Sequence, residues 1–589
     1  MFVDSIVPKV MRLRVAWLVL VAALPGGTFV GQSQTVSANF ADRSGSTPVV
    51  PGGLFSIGGS GSSVTDLSAI STLTMAGLNG TRFWIPLQQI YPSAKNKSET
   101  DFDFLDWNLE RMKTAGLHPL GVIIGTPPSL GSNPCAPPSI VWEWGQMAAS
   151  VVAHVDQKFP GLMQDYEIWN EPELVSSLCI TNATTRLDTY LAMFQAAASR
   201  MHAQAEADGE TIRTGGPVIS QMKQAPIWIP ALLNSTSTAP YVDFVSFHLY
   251  ITGLENIQKK MDWSQLYTYT QSPTWGLANY FKIIESLVHS SHQSNAASTP
   301  IYITELNTGW AHAVDCCRND PTYAPLWNSV AITDFLNVVY SGDFGVPRQL
   351  SYFNALGSYF CILGKWDSDM DCDPSETEPY PQFYAYKLFA SPDYLDLQAG
   401  GHMASSVSPA NTTTGLNATA FYTSAADNVV IINPTSSSHS GVKVALTNPG
   451  FPSAPTGTVF LLNRENLQIS TQSVSLTPIS GGYSATVEVP AYSTVALSVK
   501  PSHAGAAPTA AITLTQKSGT RTVDVDTSKS TGGESAIVGR TIDFGDGSWL
   551  SWWPSAAHAY TKAGNYKISI TVKNQSGLLS TTSSTITLH

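Results

Sequence analysis

The chain has 589 residues, well beyond the ~100–200 of an average domain, so two to four domains are expected. With 43% hydrophobic and only 13% charged residues, and with 15 Trp, 22 Tyr and 22 Phe, it can bury a large core and is no disordered tract. A formal charge of −12 argues against nucleic acid or an anionic membrane as partner, because both select for Lys and Arg.

The N-terminus reads as an export leader. Lys9, Arg12 and Arg14 precede an apolar run from Val15 to Leu24 that stops at Pro25-Gly26-Gly27. That run has the length of a signal core and is too short for the ~20 residues of a membrane span. Val36-Ser37-Ala38 offers a small-x-small cleavage site, so residues 1–38 are expected to be removed, leaving a secreted (or periplasmic) chain with no membrane anchor. Six cysteines fit an oxidising compartment: Cys135, Cys179, Cys316, Cys317, Cys361 and Cys372. None has the C-x-x-C spacing of a zinc or redox site, so disulfides are expected. Cys361 with Cys372 would close a short loop, and Cys135 with Cys179 could join two loops. The connectivity stays open.

Short β-branched or aromatic runs alternate with helical stretches from about residue 50 to 390. Strands are predicted at Gly80–Ile85, Pro119–Ile124, Asp165–Trp169, Ile212–Gly215, Phe244–His248, Pro300–Thr304 and Gln349–Phe353. Amphipathic segments lie between them, at Phe104–Ala115, Val141–Lys158, Thr185–Ala207 and Trp275–His292. Repeated strand–helix units of this extent predict a (β/α)8 TIM barrel. An open doubly wound sheet is the alternative, weakened by the lack of a Gly-rich phosphate loop. Beyond about residue 395, alternating runs such as Val429–Ile432, Val442–Leu446 and Val495–Val499 sit between Gly, Pro, Ser and Asn clusters and predict an antiparallel β-sandwich. The tail is also all-β, and it contains Asp543-Phe544-Gly545-Asp546-Gly547, His558-Ala559-Tyr560 and Gly564-Asn565-Tyr566. These residues resemble the PKD family of small immunoglobulin-like sandwiches, a resemblance that implies a spacer or a contact to polysaccharide or cell surface. The expected organisation is a leader over 1–38, the barrel over 39–392, an accessory β-sandwich over 393–501, a linker over 502–508 and a PKD domain over 509–589. Trp549, Trp552 and Trp553 follow the PKD turn and would either stack on sugar rings or fill the core.

Two carboxylates stand at the C-terminal ends of predicted strands, where barrel active sites are built. The first is in Tyr166-Glu167-Ile168-Trp169-Asn170-Glu171-Pro172, the second in Ile301-Tyr302-Ile303-Thr304-Glu305-Leu306-Asn307. Cleaving a glycosidic bond needs such a pair, one protonated and one ionised. The two segments resemble the fourth and seventh strands of the retaining barrel glycosidases of clan A, which implies Glu171 as acid/base, Asn170 as a contact to the sugar 2-hydroxyl and Glu305 as nucleophile. Glu167 lies within its strand and Glu173 past the proline, so both are set aside. By the same resemblance Arg82 stands beside the nucleophile, and a cation there would keep Glu305 ionised. His248 and Tyr250 share one side of their strand, and in relatives such residues contact substrate and nucleophile; a salt bridge and a packed His–Tyr pair are the structural alternatives. Trp84, Trp169 and Trp310 are candidates to line sugar subsites. With Gly215-Gly216-Pro217, the set is most similar to glycoside hydrolase family 39. The chain departs from that family at Leu306, where an aromatic is common, and at Phe353-Asn354, where a Trp is usual, with Trp366 a possible substitute. These departures touch the sugar pocket and leave β-xylosidase specificity open. The expected substrate is an oligo- or polysaccharide, with no metal and no cofactor. An endo-acting mannanase or glucanase of the same clan, or a silent carbohydrate-binding protein, are the alternatives.

Overall fold

The computed structural model describes residues 34–41, 50, 52–58, 67–251, 261–291, 299–309, 320, 322–341, 348–353, 361–363, 365–366, 372–373, 379–398, 400–404, 406–408, 415–423, 425–450, 455–465, 468–500, 507–533, 537–546, 549–551, 555–574 and 578–589. After a first strand, β1 (Thr35–Asn39), come eight parallel strands that close into a barrel: β2 (Phe55–Gly58), β3 (Gly80–Pro86), β4 (His118–Ile124), β5 (Asp165–Ile168), β6 (Arg213–Ile219), β7 (Phe244–Tyr250), β8 (Ile301–Asn307) and β9 (Arg348–Phe353). Closure is direct, with Phe55–Gly58 pairing Leu350–Phe353 in register. The helices between them include α1 (Leu67–Met75), α2 (Leu87–Ile90), α3 (Asp103–Ala115), α4 (Val141–Lys158), α5 (Ala183–Asp208), α6 (Ala225–Asn234), α7 (Trp263–Thr270), α8 (Leu277–His289), α9 (Tyr323–Ser341) and α10 (Pro381–Ala390). Helix α5 begins where Asn182, at its N-cap, accepts a hydrogen bond from the Thr185 amide, and it ends at Gly209 with φ +78°. The expected TIM barrel is therefore present. The lower barrel is plugged by Leu120, Val122, Phe244 and Tyr302, the last two rings stacked 4.4 Å apart. That apolar plug separates the upper mouth, where Arg82, His248 and Glu305 lie, from the lower end of the barrel, where Arg213 pairs Asp165.

The accessory sandwich pairs a five-stranded sheet with a six-stranded one, and its core includes Val429, Ile431, Val444, Val487 and Leu497. Strand β1 lies inside the five-stranded sheet, parallel to His439–Thr447 and antiparallel to Ser406–Ser408. Val36 and Ala38 are 1% and 2% exposed. This corrects the boundary expected for the leader: a cut after Ala38 would strip away all but one residue of a buried strand. Residues 1–33, which hold the apolar run, lie outside the described residues. The PKD tail forms a three- and a four-stranded sheet. Its turn is built as the motif suggests, with the Gly545 amide donating to Asp543 Oδ1 at 2.8 Å and Tyr560 donating to the Phe544 carbonyl at 2.8 Å. The PKD domain touches the chain where the barrel ends: Lys573 Nζ donates to the Pro392 carbonyl at 3.2 Å and meets Asp393 Oδ1 at 2.6 Å.

Candidate active site

Side chains on a strand alternate, so Arg82 and Trp84 share one side of β3, and His248 and Tyr250 one side of β7. The same period would turn Glu305 outward if Tyr302 points in. A register shift, in which Phe247 pairs Ile303 but His248 pairs Glu305, gives β8 one extra residue at Thr304 and brings Glu305 into the mouth. Glycine is required next to it: a Cβ on Gly58 would lie 2.4 Å from the Thr304 carbonyl and 3.5 Å from Glu305 Cγ.

Arg82, 1% exposed, is the hub. Its Nε donates to Glu167 Oε2 at 2.6 Å, Nη1 to Glu305 Oε1 at 2.7 Å and Nη2 to Asn170 Oδ1 at 2.7 Å. The guanidinium fork thus reads three residues from two strands at once. The other Glu305 oxygen, Oε2, accepts from the Tyr250 hydroxyl and lies 3.3 Å from His248 Nδ1. That same Nδ1 is 2.9 Å from Glu171 Oε1. One ligand atom each from Glu171, His248 and Glu305 lies within 4.8 Å of the others. Such a trio has the donor set of a cation site, yet the Arg82 guanidinium already supplies positive charge to Glu305.

Burial raises the Glu305 carboxyl, while His248, Arg82 and the Tyr250 hydrogen bond pull it back down. Burial likewise raises Glu171, opposed by a hydrogen bond from Ser220 and the Arg82 charge. His248 is pushed down by burial, against the Glu305 charge that raises it, and its Nδ1 faces both carboxyls. Its Nε2 is buried without a hydrogen-bond partner among the described residues.

Glu171 is held by backbone in unusual conformations. Trp169, Glu171 and Val218 have φ of +70°, +46° and +58°, and the Glu171 amide donates to the Val218 carbonyl at 3.1 Å. Three non-glycine residues in the left-handed region at one place mark a conformation held by its surroundings, as is common at functional sites. A cavity of about 670 Å³ opens beside Glu171, lined by Trp84, Gln88, Phe104, Trp169 and Asn170 among others. Cys135 forms part of its wall and is bonded to Cys179, with Cα atoms 5.3 Å apart, so the loops after β4 and β5 are stapled. Cys361 is also disulfide-bonded.

Six of the eight site residues expected from the sequence therefore meet in one mouth: Glu171, Glu305, Asn170, Arg82, His248 and Tyr250. Trp84 lines the adjoining cavity, and Trp310 lies outside the described residues. Trp169 lines the cavity but is 1% exposed and packs against Trp144, so it is mainly core. Two carboxylates set aside from the sequence belong to the site's frame. Glu167 is fully buried against Arg82, and Glu173, 4% exposed, bonds the end of β6.

Residues 96–349 match the family model Glycosyl hydrolases family 39, and residues 505–588 match the PKD domain. No curated protein matches the chain. Among solved structures, it is similar to a monomeric β-xylosidase from Caulobacter crescentus CB15, with 14% identity over 80% of this chain and 100% of that one and a TM-score of 0.56. The GH39 enzyme from Xanthomonas axonopodis pv. citri has 15% identity, coverage of 80% and 97%, and a TM-score of 0.55. A GH30 endoxylanase from Clostridium papyrosolvens C71 has 14% identity, coverage of 79% and 100%, and a TM-score of 0.51. At these identities the likeness is one of fold.

Proposed function

We propose that this chain, a glycosidase that carries a glycosyl hydrolase family 39 domain and a C-terminal PKD domain, is a secreted enzyme that cleaves β-glycosidic bonds with retention. The observation that carries the reading is the closeness of the two carboxyls: their nearest oxygens fall within 4.8 Å. Retaining enzymes hold the pair at ~5–5.5 Å, whereas inverting ones need ~6.5–9.5 Å to admit a water.

In the first step Glu171 gives its proton to the glycosidic oxygen as the C–O bond breaks, and a Glu305 oxygen bonds the anomeric carbon. In the second, Glu171 takes a proton from water, the hydroxide bonds the anomeric carbon and Glu305 leaves as carboxylate. Arg82 and Tyr250 hold both Glu305 oxygens, fixing the direction of attack and stabilising the carboxylate that departs. Asn170 Oδ1 is engaged by Arg82, which leaves its Nδ2 amide to donate to a sugar hydroxyl. Export is supported by the leader pattern and by the Cys135–Cys179 bond, which persists in oxidising compartments. Among the described residues no helix is long and apolar enough to cross a membrane.

Xylose-based substrates are the first to try, since a β-xylosidase and an endoxylanase are among the similar folds. One feature favours a second reading, an endo-acting glycanase. The cavity beside Glu171 does not include Glu305 in its lining, so it offers room for a sugar beyond the one between the carboxyls. Aryl glycosides and xylan, mannan and glucan fragments should be screened and the first-formed anomer read by NMR. The proposal expects the anomer of the substrate, with turnover abolished in Glu305→Gln. An inverted product, or full activity in that variant, overturns it.

A further inference from the structure

We propose that Glu173, together with Ser220, is a positioning residue for the acid/base: it clamps the loop that carries Glu171 against the end of β6 and so fixes the aim of the Glu171 carboxyl. This deepens the proposed function and rests on Glu171 being the acid/base.

Glu173 Oε1 accepts three hydrogen bonds from the segment that follows β6: from the Ser220 amide at 2.7 Å, the Ser220 hydroxyl at 2.9 Å and the Gln221 amide at 3.0 Å. With the Glu171 amide bonded to the Val218 carbonyl, the loop is tied to β6 on both sides of Pro172. The clamp holds the loop where Glu171 has φ +46°, a conformation that relaxes if its surroundings let go. A shift of even 1 Å at a reacting group can cost on the order of 10²-fold.

The Ser220 hydroxyl joins the clamp to the acid/base itself: it is bonded to Glu173 and within reach of Glu171. Burial and the Glu171 charge raise the Glu173 carboxyl, and the Ser220 and Gln221 amides that bond it oppose that rise.

The test compares Glu173→Gln and Ser220→Ala with the wild-type full chain on two aryl glycosides of one sugar. One has a leaving group acidic enough to depart unassisted, and the other needs the acid. The expected result is a roughly 10- to 100-fold loss of kcat/KM on the second substrate with little loss on the first. Equal losses on both substrates, in a variant whose melting temperature is intact, overturn the inference. If Glu173→Gln does not fold, Ser220→Ala carries the same comparison, with a smaller loss on the second substrate expected and an equal loss on both overturning it. Glu171→Gln separates the layers: if it shows no dependence on the leaving group, the acid/base reading itself fails. Dependence in Glu171→Gln without any in Glu173→Gln sinks only the clamp.

Discussion

Replacing Arg82 with Met removes the one cation that bridges Glu167, Glu305 and Asn170 while roughly keeping the volume. Both carboxylates are buried, with side-chain exposures of 0% for Glu167 and 6% for Glu305, so neither can turn to water for compensation. Breaking a buried ion pair by deleting one partner costs about 3–5 kcal/mol. At roughly 2–4 °C per kcal/mol for a large domain, the barrel should melt about 6–20 °C lower near neutral pH. The activity change has a defined direction. Burial raises the Glu305 carboxyl and Arg82 opposes that rise, so without Arg82 the nucleophile protonates at higher pH. A shift of one to three units is the usual worth of an adjacent cation, so the acid limb of kcat/KM should move up by about that much. At pH values below the new limb the rate falls roughly tenfold per unit, while the melting deficit shrinks, because the protonated acid no longer leaves a bare buried charge. Initial rates on an activated aryl glycoside from pH 4 to 9, with differential scanning fluorimetry in the same buffers, read both effects. An acid limb that stays in place, with a rate loss uniform across pH, would refute the assignment of Arg82 as the group that keeps Glu305 ionised.

Asp334 on α9 is half-buried at the seam between barrel and sandwich, its Oδ2 accepting from Gln271 Nε2 at 2.6 Å, and desolvation lifts its carboxyl from 3.8 to about 7. A folded value above the unfolded one means stability is fully present below pH 3.8 and lost as pH rises through about 7. Asp334→Asn should therefore leave stability at pH 4 unchanged and raise it at pH 8, by on the order of 4 kcal/mol; parallel melting curves for the two proteins would contradict this. Removing the Cys135–Cys179 bond, which closes 44 residues, should destabilise the rim by up to ~4 kcal/mol on the loop-entropy estimate and lower the melting temperature under reducing conditions. If residues 34–39 are part of the mature fold, intact mass of secreted protein should place the N-terminus at or before Gln34. Deleting through Asn39, which removes the buried Val36 and Ala38, should lower the sandwich melting temperature; an unchanged transition would refute the pairing. EDTA dialysis should leave turnover unchanged, because the positive charge at Glu305 comes from Arg82.

What was legible in the sequence follows the range of the forces involved. Strands β3 to β9 each carry an apolar run with its own turn signals, and their positions were readable to within a few residues. Strand β2 was not, because Phe55–Gly58 has four residues and runs into Gly59 and Gly61, so the local pattern reads as loop. Helix α9 shows no polar stripe: nearly every described side chain from Leu326 to Val339 is buried, between barrel and sandwich, so amphipathicity had nothing to report. Strand β1 pairs with residues some 400 positions away in sequence, and no local rule reaches that far.

The site divides the same way. Glu171 and Glu305 stand in motifs whose neighbours announce them. Their support does not, because it is assembled by the fold from residues that look ordinary along the chain. Glu167 reads as an anomaly inside a strand and becomes intelligible only once β3 brings Arg82 beside it. Ser220 has no signal at all, being one of many serines, until β6 delivers it between two carboxyls. Even the inward facing of Glu305 depends on one unpaired residue, Thr304, that strict alternation along β8 would have argued against. The two carboxylates proposed to do the chemistry are marked by local sequence, while the residues that hold and aim them are brought there by register. A substitution that slips β8 by one position, such as deletion of Thr304, should therefore abolish turnover while keeping both carboxylates in the chain. Retained activity in that deletion would show that Glu305 does not owe its position to the irregularity.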